Sequence, residues 1–413
     1  MNGTPTALVF PDNLAALAAA RELGSAGIRV VIGGPHPGPG ARSRFASFLP
    51  LPDLYESTSA WAEATCAWAS LQRMPPVLFA SEDAALLAAE KHHEDLARVS
   101  VKPYPAPAVV GNVIDKRRLY EAARRVGVAV PDFREVHDAE ELAGLKANGW
   151  LIKPALRYRL EGDGIYTFRQ ATGATKALGG EPALAARECI AAQFPTLLQE
   201  AVPGPFENLV TVALTIGRDG RLRDFFAACK QHEYPEPFGD GLIVRIIKAP
   251  KLLEPCVRLL NELGYWGICD IEFKLDARTG EHKILDANPR TWLWLNLGTR
   301  AGHHLLLAAF NEATGLKIAP KVGRTGATEW VSPRGSMAFL ARCYRAGRHG
   351  LALPSRLMIG ALSTSMGNWR SFRDPLYLHP SAWPEITTSA SRLVRRRRRH
   401  AAGTGERIES EQS

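Results

Sequence analysis

Residues 267–290 read GICDIEFKLDARTGEHKILDANPR. Two strand-like runs flank a polar turn that holds Asp276, Arg278, Thr279, Gly280 and Glu281, the signature of a hairpin with a longer loop. Side chains alternate faces along a strand, so Asp270, Glu272 and Lys274 share one face, with Ile271, Phe273 and Leu275 on the other. On the return run Ile284, Asp286 and Asn288 are expected together, with Lys283, Leu285 and Ala287 opposite. A turn centred near Thr279 sets Glu272 across from Asp286. Opposed carboxylates repel unless a cation lies between them. With Asn288 as a neutral oxygen donor, the set suits a hard divalent ion that also takes phosphate oxygens, most naturally Mg²⁺. Arg290, further along the same side, could hold an anion beside it. Taken alone, the stretch reads equally well as a surface hairpin with a charged, solvated face.

The 413 residues exceed one ordinary core, and two or three domains are expected. Composition is that of a globular protein. The start, MNGTPTALVFPD, lacks a basic region followed by an apolar run, so no secretory signal is expected, and no apolar segment is long enough to span a bilayer. Six scattered cysteines without a C-x-x-C pair fit reduced thiols in a cytoplasmic protein. The net charge of +9 is uneven: from Arg392 onward seven arginines and three glutamates give +4, leaving +5 on the other 391 residues. Nucleic-acid binding is therefore not expected of the body.

Along the chain, residues 6–10 read as a buried strand, 13–23 as a helix and 28–32 as a second strand, an α/β opening with a parallel sheet. The first turn is PDNLAA rather than G-x-G-x-x-G, so the shape is Rossmann-like without the phosphate fingerprint. A helix near 59–71, a strand at 77–80 and a helix near 82–91 continue the alternation. Prolines at 103, 105 and 107 mark a boundary near 105. A helix is expected over 112–127 and another over 139–148, then a strand WLIKPA that carries Lys153. The following ALRYRLEGDG shows no strong periodicity; a glycine-bearing loop after a lysine strand can fold over phosphates. A lone lysine before a proline is also an ordinary edge-strand residue. LLQEA at 197–201 is an extended run whose backbone could meet an adenine edge, with Glu207 within reach of ribose hydroxyls. LVTVALTI pairs with the strand after the GRDG turn, which continues to Lys230; a further strand over 239–248 carries Arg245, and a helix at 251–263 leads to the hairpin.

Taken in order, IDKRRLYEAARRVGVAVPDF, LIKPA, LLQEAVPG with Glu207, ACKQHEYPEPFGDG and DIEFKLDARTGEHKILDANPR resemble the ATP-grasp superfamily, in particular the carboxylate–amine ligases related to carbamoyl-phosphate synthetase and D-aspartate ligase. The likeness covers roughly residues 5–320, and its last motif is the specific one. It implies an α/β and α+β architecture: a Rossmann-like pre-ATP-grasp domain (1–105), an ATP-grasp domain of two subdomains that clamp ATP (106–330), a helical and extended C-terminal appendage (331–391) and a basic tail (392–413). It implies that Glu272, Asp286 and Asn288 hold Mg²⁺ (or Mn²⁺) with ATP. Lys116 and Lys153 would sit on phosphates, Glu200, Ala201, Val202 and Glu207 would face the adenosine, and Arg290, with Lys230 and Arg245, would bind carboxylate or acylphosphate oxygens. Bulky Arg157, Tyr158 and Arg159 in the glycine loop depart from the pattern. So do Trp292 and Trp294 after DANPR, for which core is the expected fate.

The implied reaction is attack of a carboxylate on the γ-phosphate of ATP, then displacement of phosphate by an amine such as an amino acid. Small-molecule carboxylate and amine are the expected partners, and a homodimer is a further expectation. A phosphotransferase without the amine step and a catalytically silent nucleotide-binding scaffold are the alternatives. His92, His93, His303 and His304 lack metal-ligand spacing and are expected to be structural or surface groups. Beyond residue 333 short helices at 336–346 and 355–364, a Pro-rich stretch and an arginine tail are expected. Such a tail is a solvated segment first, and a weak contact with an anionic membrane second.

Overall fold

A computed structural model of the chain describes residues 3–142, 145, 149–167, 182–234, 240–321, 326, 328–332 and 336. Contacts divide the chain into two compact units, 1–332 and 333–413. Of the second only Ser336 is described, so the remainder of the expected appendage and the arginine tail lie outside the described residues.

The opening elements are β1 (Ala7–Phe10), α1 (Leu14–Ser25), β2 (Val30–Gly34), β3 (Ala46–Pro50), α2 (Thr58–Ser70), β4 (Val77–Ala80), α3 (Asp83–Lys91) and α4 (His93–Val99). Four strands pair in parallel in the order β3-β2-β1-β4. Every residue of β1, β2 and β4 is buried, which is why their sequences are unbroken apolar runs rather than alternating ones. The Asn13 side chain caps α1, accepting from the amides of Ala15 and Ala16 at 2.9 and 3.0 Å. The edge strand β3 (ASFLP) is only partly buried and lacked a sequence signal.

Two helices, α5 (Pro107–Ile114) and α6 (Lys116–Arg125), replace the single helix expected over 112–127. Asp115 between them leaves the helical region (φ −81°, ψ 111°), and its carboxylate accepts from the Arg117 amide at 3.0 Å. A carboxylate that caps the second helix competes with continuing the first. The break makes Lys116 the first residue of α6, where its amide donates to the Ala155 carbonyl at 3.3 Å.

Next come β5 (Phe133–Val136), β6 (Trp150–Pro154), β7 (Tyr158–Glu161), β8 (Gly164–Thr167), α7 (Pro182–Ala191) and β9 (Thr196–Glu200). They give a three-stranded antiparallel sheet, β5-β9-β6, and a separate hairpin, β7-β8. The helix expected over 139–148 is, within the described residues, a 3₁₀ turn at Ala139–Leu142. The glycine loop expected after Ala155 is the β7-β8 hairpin, its turn at Gly162 in the left-handed region (φ +59°).

The remaining elements are β10 (Leu209–Ile216), β11 (Leu222–Tyr234), β12 (Asp240–Ile247), α8 (Pro250–Glu262), β13 (Gly267–Leu275), β14 (His282–Asn288), α9 (Leu295–Ala301), α10 (Leu305–Thr314) and β15 (Glu329–Val331). They build a six-stranded antiparallel sheet in the order β14-β13-β10-β11-β12-β15. One face, with Val212, Ile271 and Phe273, packs on Leu119 of α6 and Leu259 of α8. The other, with Ala213, Phe226 and Ala228, joins Trp292, Trp294 and Phe310 to the core of the parallel sheet. The two tryptophans are thus core residues, 4% and 6% exposed. Among the described residues no helix is long and apolar enough to cross a membrane. Among the described residues Cys66, Cys189, Cys229, Cys256 and Cys269 form no disulfide.

Candidate functional site

The β13-β14 register pairs Glu272 with Asp286 and Asp270 with Asn288, as the alternation predicts. Each carboxylate of the central pair meets a lysine. Lys230 Nζ donates to Glu272 Oε1 at 2.8 Å, and Lys116 Nζ to Asp286 Oδ1 at 2.9 Å. Lys230 reaches Glu272 through the sheet register. Glu272 pairs with Thr211 and Thr211 with Ala228, and Lys230 lies two residues further on the same face. Burial works against ionisation of Asp286, but Lys116 and Arg157 outweigh it and hold the carboxyl below its usual range. Asp270 is buried behind the pair and accepts from the Thr211 hydroxyl; burial and the neighbouring Glu272 raise its pKa.

One part of the expected face pattern is wrong. A bulge sets Phe273 opposite Ile284 and leaves Leu285 unopposed, so the alternation slips by one residue. Ile284 enters the core with Ala287 instead of sharing a face with Asp286. Lys283, expected on the far face, comes round to the side of Asp286, and its Nζ donates to Glu200 Oε2 at 2.7 Å. Arg278 holds the other oxygen of Glu200. Burial opposes ionisation of Glu200, but these two bonds lower its pKa overall. The Glu200 side chain is therefore committed to the protein. The Ala201 amide is also engaged, by the Gly149 carbonyl at 2.8 Å. Val202 is buried, and Glu207 is exposed on the 3₁₀ turn Phe206–Asn208.

A cavity opens beside the hairpin, lined by Asp83, Ile114, Lys116, Arg157, Tyr158 and Asp286 among others. Lys153, on the edge strand β6, feels both Lys116 and Asp286; burial first, then the Lys116 charge, pulls its pKa down to about 8. Arg290 donates Nε to Asp83 Oδ1 at 2.6 Å and a terminal nitrogen to Asn288 Oδ1 at 3.0 Å. Burial disfavours its charge, but Asp83 more than compensates.

Arg245 is not brought to this place. Its register partner is Cys229, which pairs with Val210, so it projects from the face opposite Glu272, where it bonds Glu329 at 2.5 Å. The other expected residues thus divide into a tight group and a flank. Lys116, Lys230, Glu272, Asp286, Asn288 and Arg290 are linked by direct bonds or strand pairing, whereas Glu200 ends β9 and Ala201, Val202 and Glu207 follow it. His303 bonds Asp224 at 2.9 Å, a structural contact. Sequence reasoning missed Asp83, which carries no motif, and Lys283, which the bulge relocates. Arg157 and Tyr158 stood out only as bulk in a glycine loop.

Among the described residues no group of three or more His, Cys, Asp or Glu side chains is arranged to hold a metal. The donors expected from the sequence, two carboxylates and an amide oxygen, are few and hard. That suits Mg²⁺, which binds through one or two carboxylates and completes its shell with water and phosphate oxygens.

No protein-family model and no curated protein sequence matches the chain. Solved structures do. An N5-carboxyaminoimidazole ribonucleotide synthetase in complex with ADP superposes with a TM-score of 0.59 at 15% identity, over 84% of this chain and 87% of that one. An L-amino acid ligase from Bacillus licheniformis gives 0.55 at 15% identity, over 78% of each chain. A biotin carboxylase from Campylobacter jejuni, as a β,γ-ATP complex, gives 0.55 at 15% identity, over 79% and 73%. The fold is the ATP-grasp fold.

Proposed function

We propose that this cleft binds ATP with Mg²⁺ (or Mn²⁺) and joins a substrate carboxylate to an amine, an amino acid among them, through an acylphosphate. One observation carries the reading: Glu272 and Asp286 stand in register on paired strands, each already matched to a lysine, and Asp286 opens onto the cavity beside Lys116. The nucleotide complexes and ligase or synthetase names of the neighbouring structures agree with it.

Glu272, Asp286 and Asn288 would hold the metal, which when bound neutralises phosphate charge and orients the nucleotide. Lys116 and Lys153 supply cations to phosphate oxygens, and the backbone after β9 with Glu207 flanks the nucleoside. Arg290, fixed by Asp83, orients the substrate carboxylate. A carboxylate oxygen bonds the γ-phosphorus as the bridging oxygen leaves with ADP. The neutral amine then bonds the acyl carbon, phosphate departs, and the nitrogen gives up a proton. Positioning and charge neutralisation do most of the catalysis in phosphoryl transfer, so a site made of fixed cations suffices.

The test is a screen of carboxylic acids against amines with Mg²⁺ and ATP, read by ADP release and product mass. ADP with an amide supports the proposal. ADP with a phosphorylated product and no amide replaces it with phosphotransfer, and nucleotide binding without turnover replaces it with a scaffold.

A further inference from the structure

The glycine turn of β7-β8 does not lie over the cavity. It is fastened to the parallel-sheet segment. The Asp163 carboxylate accepts from the hydroxyls of Ser57, Thr58 (3.1 Å) and Ser59 (2.6 Å) and from Lys91 Nζ (3.1 Å), at the amino end of α2. Two backbone bonds, Thr58 amide to Asp163 carbonyl at 2.6 Å and Ile165 amide to Tyr55 carbonyl at 3.1 Å, complete the attachment. A Cβ on Gly164 would come within 2.5 Å of the Tyr55 carbonyl, so glycine serves this docking. The part of the loop that lines the cavity is instead Leu156, Arg157 and Tyr158.

The cations of the candidate site differ in how far they are committed. Lys116 bonds Asp286, Lys230 bonds Glu272, Lys283 bonds Glu200 and Arg290 bonds Asp83. Arg157 makes no hydrogen bond or ion pair with any described residue. It lines the cavity together with Asp83, Lys116 and Asp286, and it lies in the field of Asp286, Asp83 and Arg290. It thus shares the cavity wall with the carboxylate that would hold the metal and with Asp83, the partner of the arginine that would hold the substrate.

We infer that Arg157 is a catalytic residue that binds the terminal phosphoryl group of the nucleotide, taking the place that the glycine loop's own amides would fill. The inference rests on the ATP reading above. A guanidinium matches phosphate oxygens with a planar fork of donors and stays charged at every working pH. During transfer the bond from the γ-phosphorus to the bridging oxygen breaks, and the electron pair leaves with ADP. The new bond comes from the carboxylate oxygen, and Arg157 offsets charge on the non-bridging oxygens without exchanging a proton. The Asp163 fastening anchors the turn at the end of β7, the strand that Arg157 immediately precedes.

The test is equilibrium binding of ATP, ADP and AMP, each with Mg²⁺, to the full chain, Arg157→Gln and Arg157→Lys. A lost charged hydrogen bond is expected to weaken ATP about tenfold or more in Arg157→Gln. ADP and AMP should change far less, and Arg157→Lys should recover part of the ATP loss. An ATP-to-ADP affinity ratio in Arg157→Gln equal to that of the unaltered chain overturns the inference alone. Failure of the unaltered chain to bind any of the three overturns the ATP reading and this inference with it.

Discussion

Asp83, the first residue of α3, bonds Nε of Arg290 at 2.6 Å although 207 positions separate them in the chain. The pair ties the parallel-sheet segment to the end of the DANPR motif, and its Asp83 lies on the wall of the same cavity as Asp286. Asp83→Asn keeps the size but removes the charge that holds the guanidinium. The expected outcome is a rise of about tenfold in KM for the carboxylate substrate, with KM for ATP little changed. Steady-state kinetics with each substrate varied in turn check it; equal changes in both KM values would contradict a role confined to Arg290.

Lys153 gives the site a pH dependence. Its folded pKa of about 8 lies below the ordinary 10.5, so between those values the unfolded chain holds a proton that the fold has released. Stability conferred through this group therefore rises with pH across that window. Nucleotide binding moves the other way, because phosphate needs the ammonium form. ATP affinity is expected to be flat below about pH 8 and to fall above it, approaching tenfold per pH unit. Lys153→Arg should remove that fall. Titrations of ATP binding from pH 6.5 to 9.5 decide the matter, and an unchanged break in the arginine variant would rule out Lys153 as its source.

The Asp163 attachment predicts a local effect rather than a global one. Hydrogen bonds from Ser57 and Ser59 hold its carboxyl far below the usual range, which favours the ionised form that accepts them. Asp163→Ala should leave thermal unfolding nearly unchanged yet speed amide exchange across Gly164–Thr167. Exchange mass spectrometry at residue 165, whose amide bonds the Tyr55 carbonyl, is the direct reading. Protection equal to that of the unaltered chain would show that the backbone bonds alone hold the hairpin.

Much of this was legible in the sequence because the informative signals are local. Period-two alternation and a polar turn are enough to oppose Glu272 and Asp286, since register follows once the turn is centred. The unbroken apolar runs of β1, β2 and β4 likewise announce a parallel sheet. The bulge at Leu285 was illegible, having neither glycine nor proline to mark it, and it alone moved Lys283 to Glu200. Asp115 broke a helix that its neighbours' propensities would have continued, because its side chain could cap the next one. Arg245 followed an expectation of proximity that the pairing with Cys229 refutes. Contacts such as Asp83 with Arg290 depend on how distant segments dock, and no spacing encodes that.

The proposed chemistry depends on Glu272 and Asp286 acting together on a magnesium–nucleotide pair. The direct measurement is Mg²⁺-dependent ATP binding and ADP release by purified Glu272→Gln and Asp286→Asn beside the unaltered chain. Unfolding is monitored in parallel, because leaving Lys116 without its partner at a partly buried pair costs about 3 kcal/mol or more. Both folded variants are predicted to lose the magnesium dependence of binding and to release ADP about a hundredfold more slowly or worse. Near-normal ADP release by either one, with its fold intact, would contradict the account.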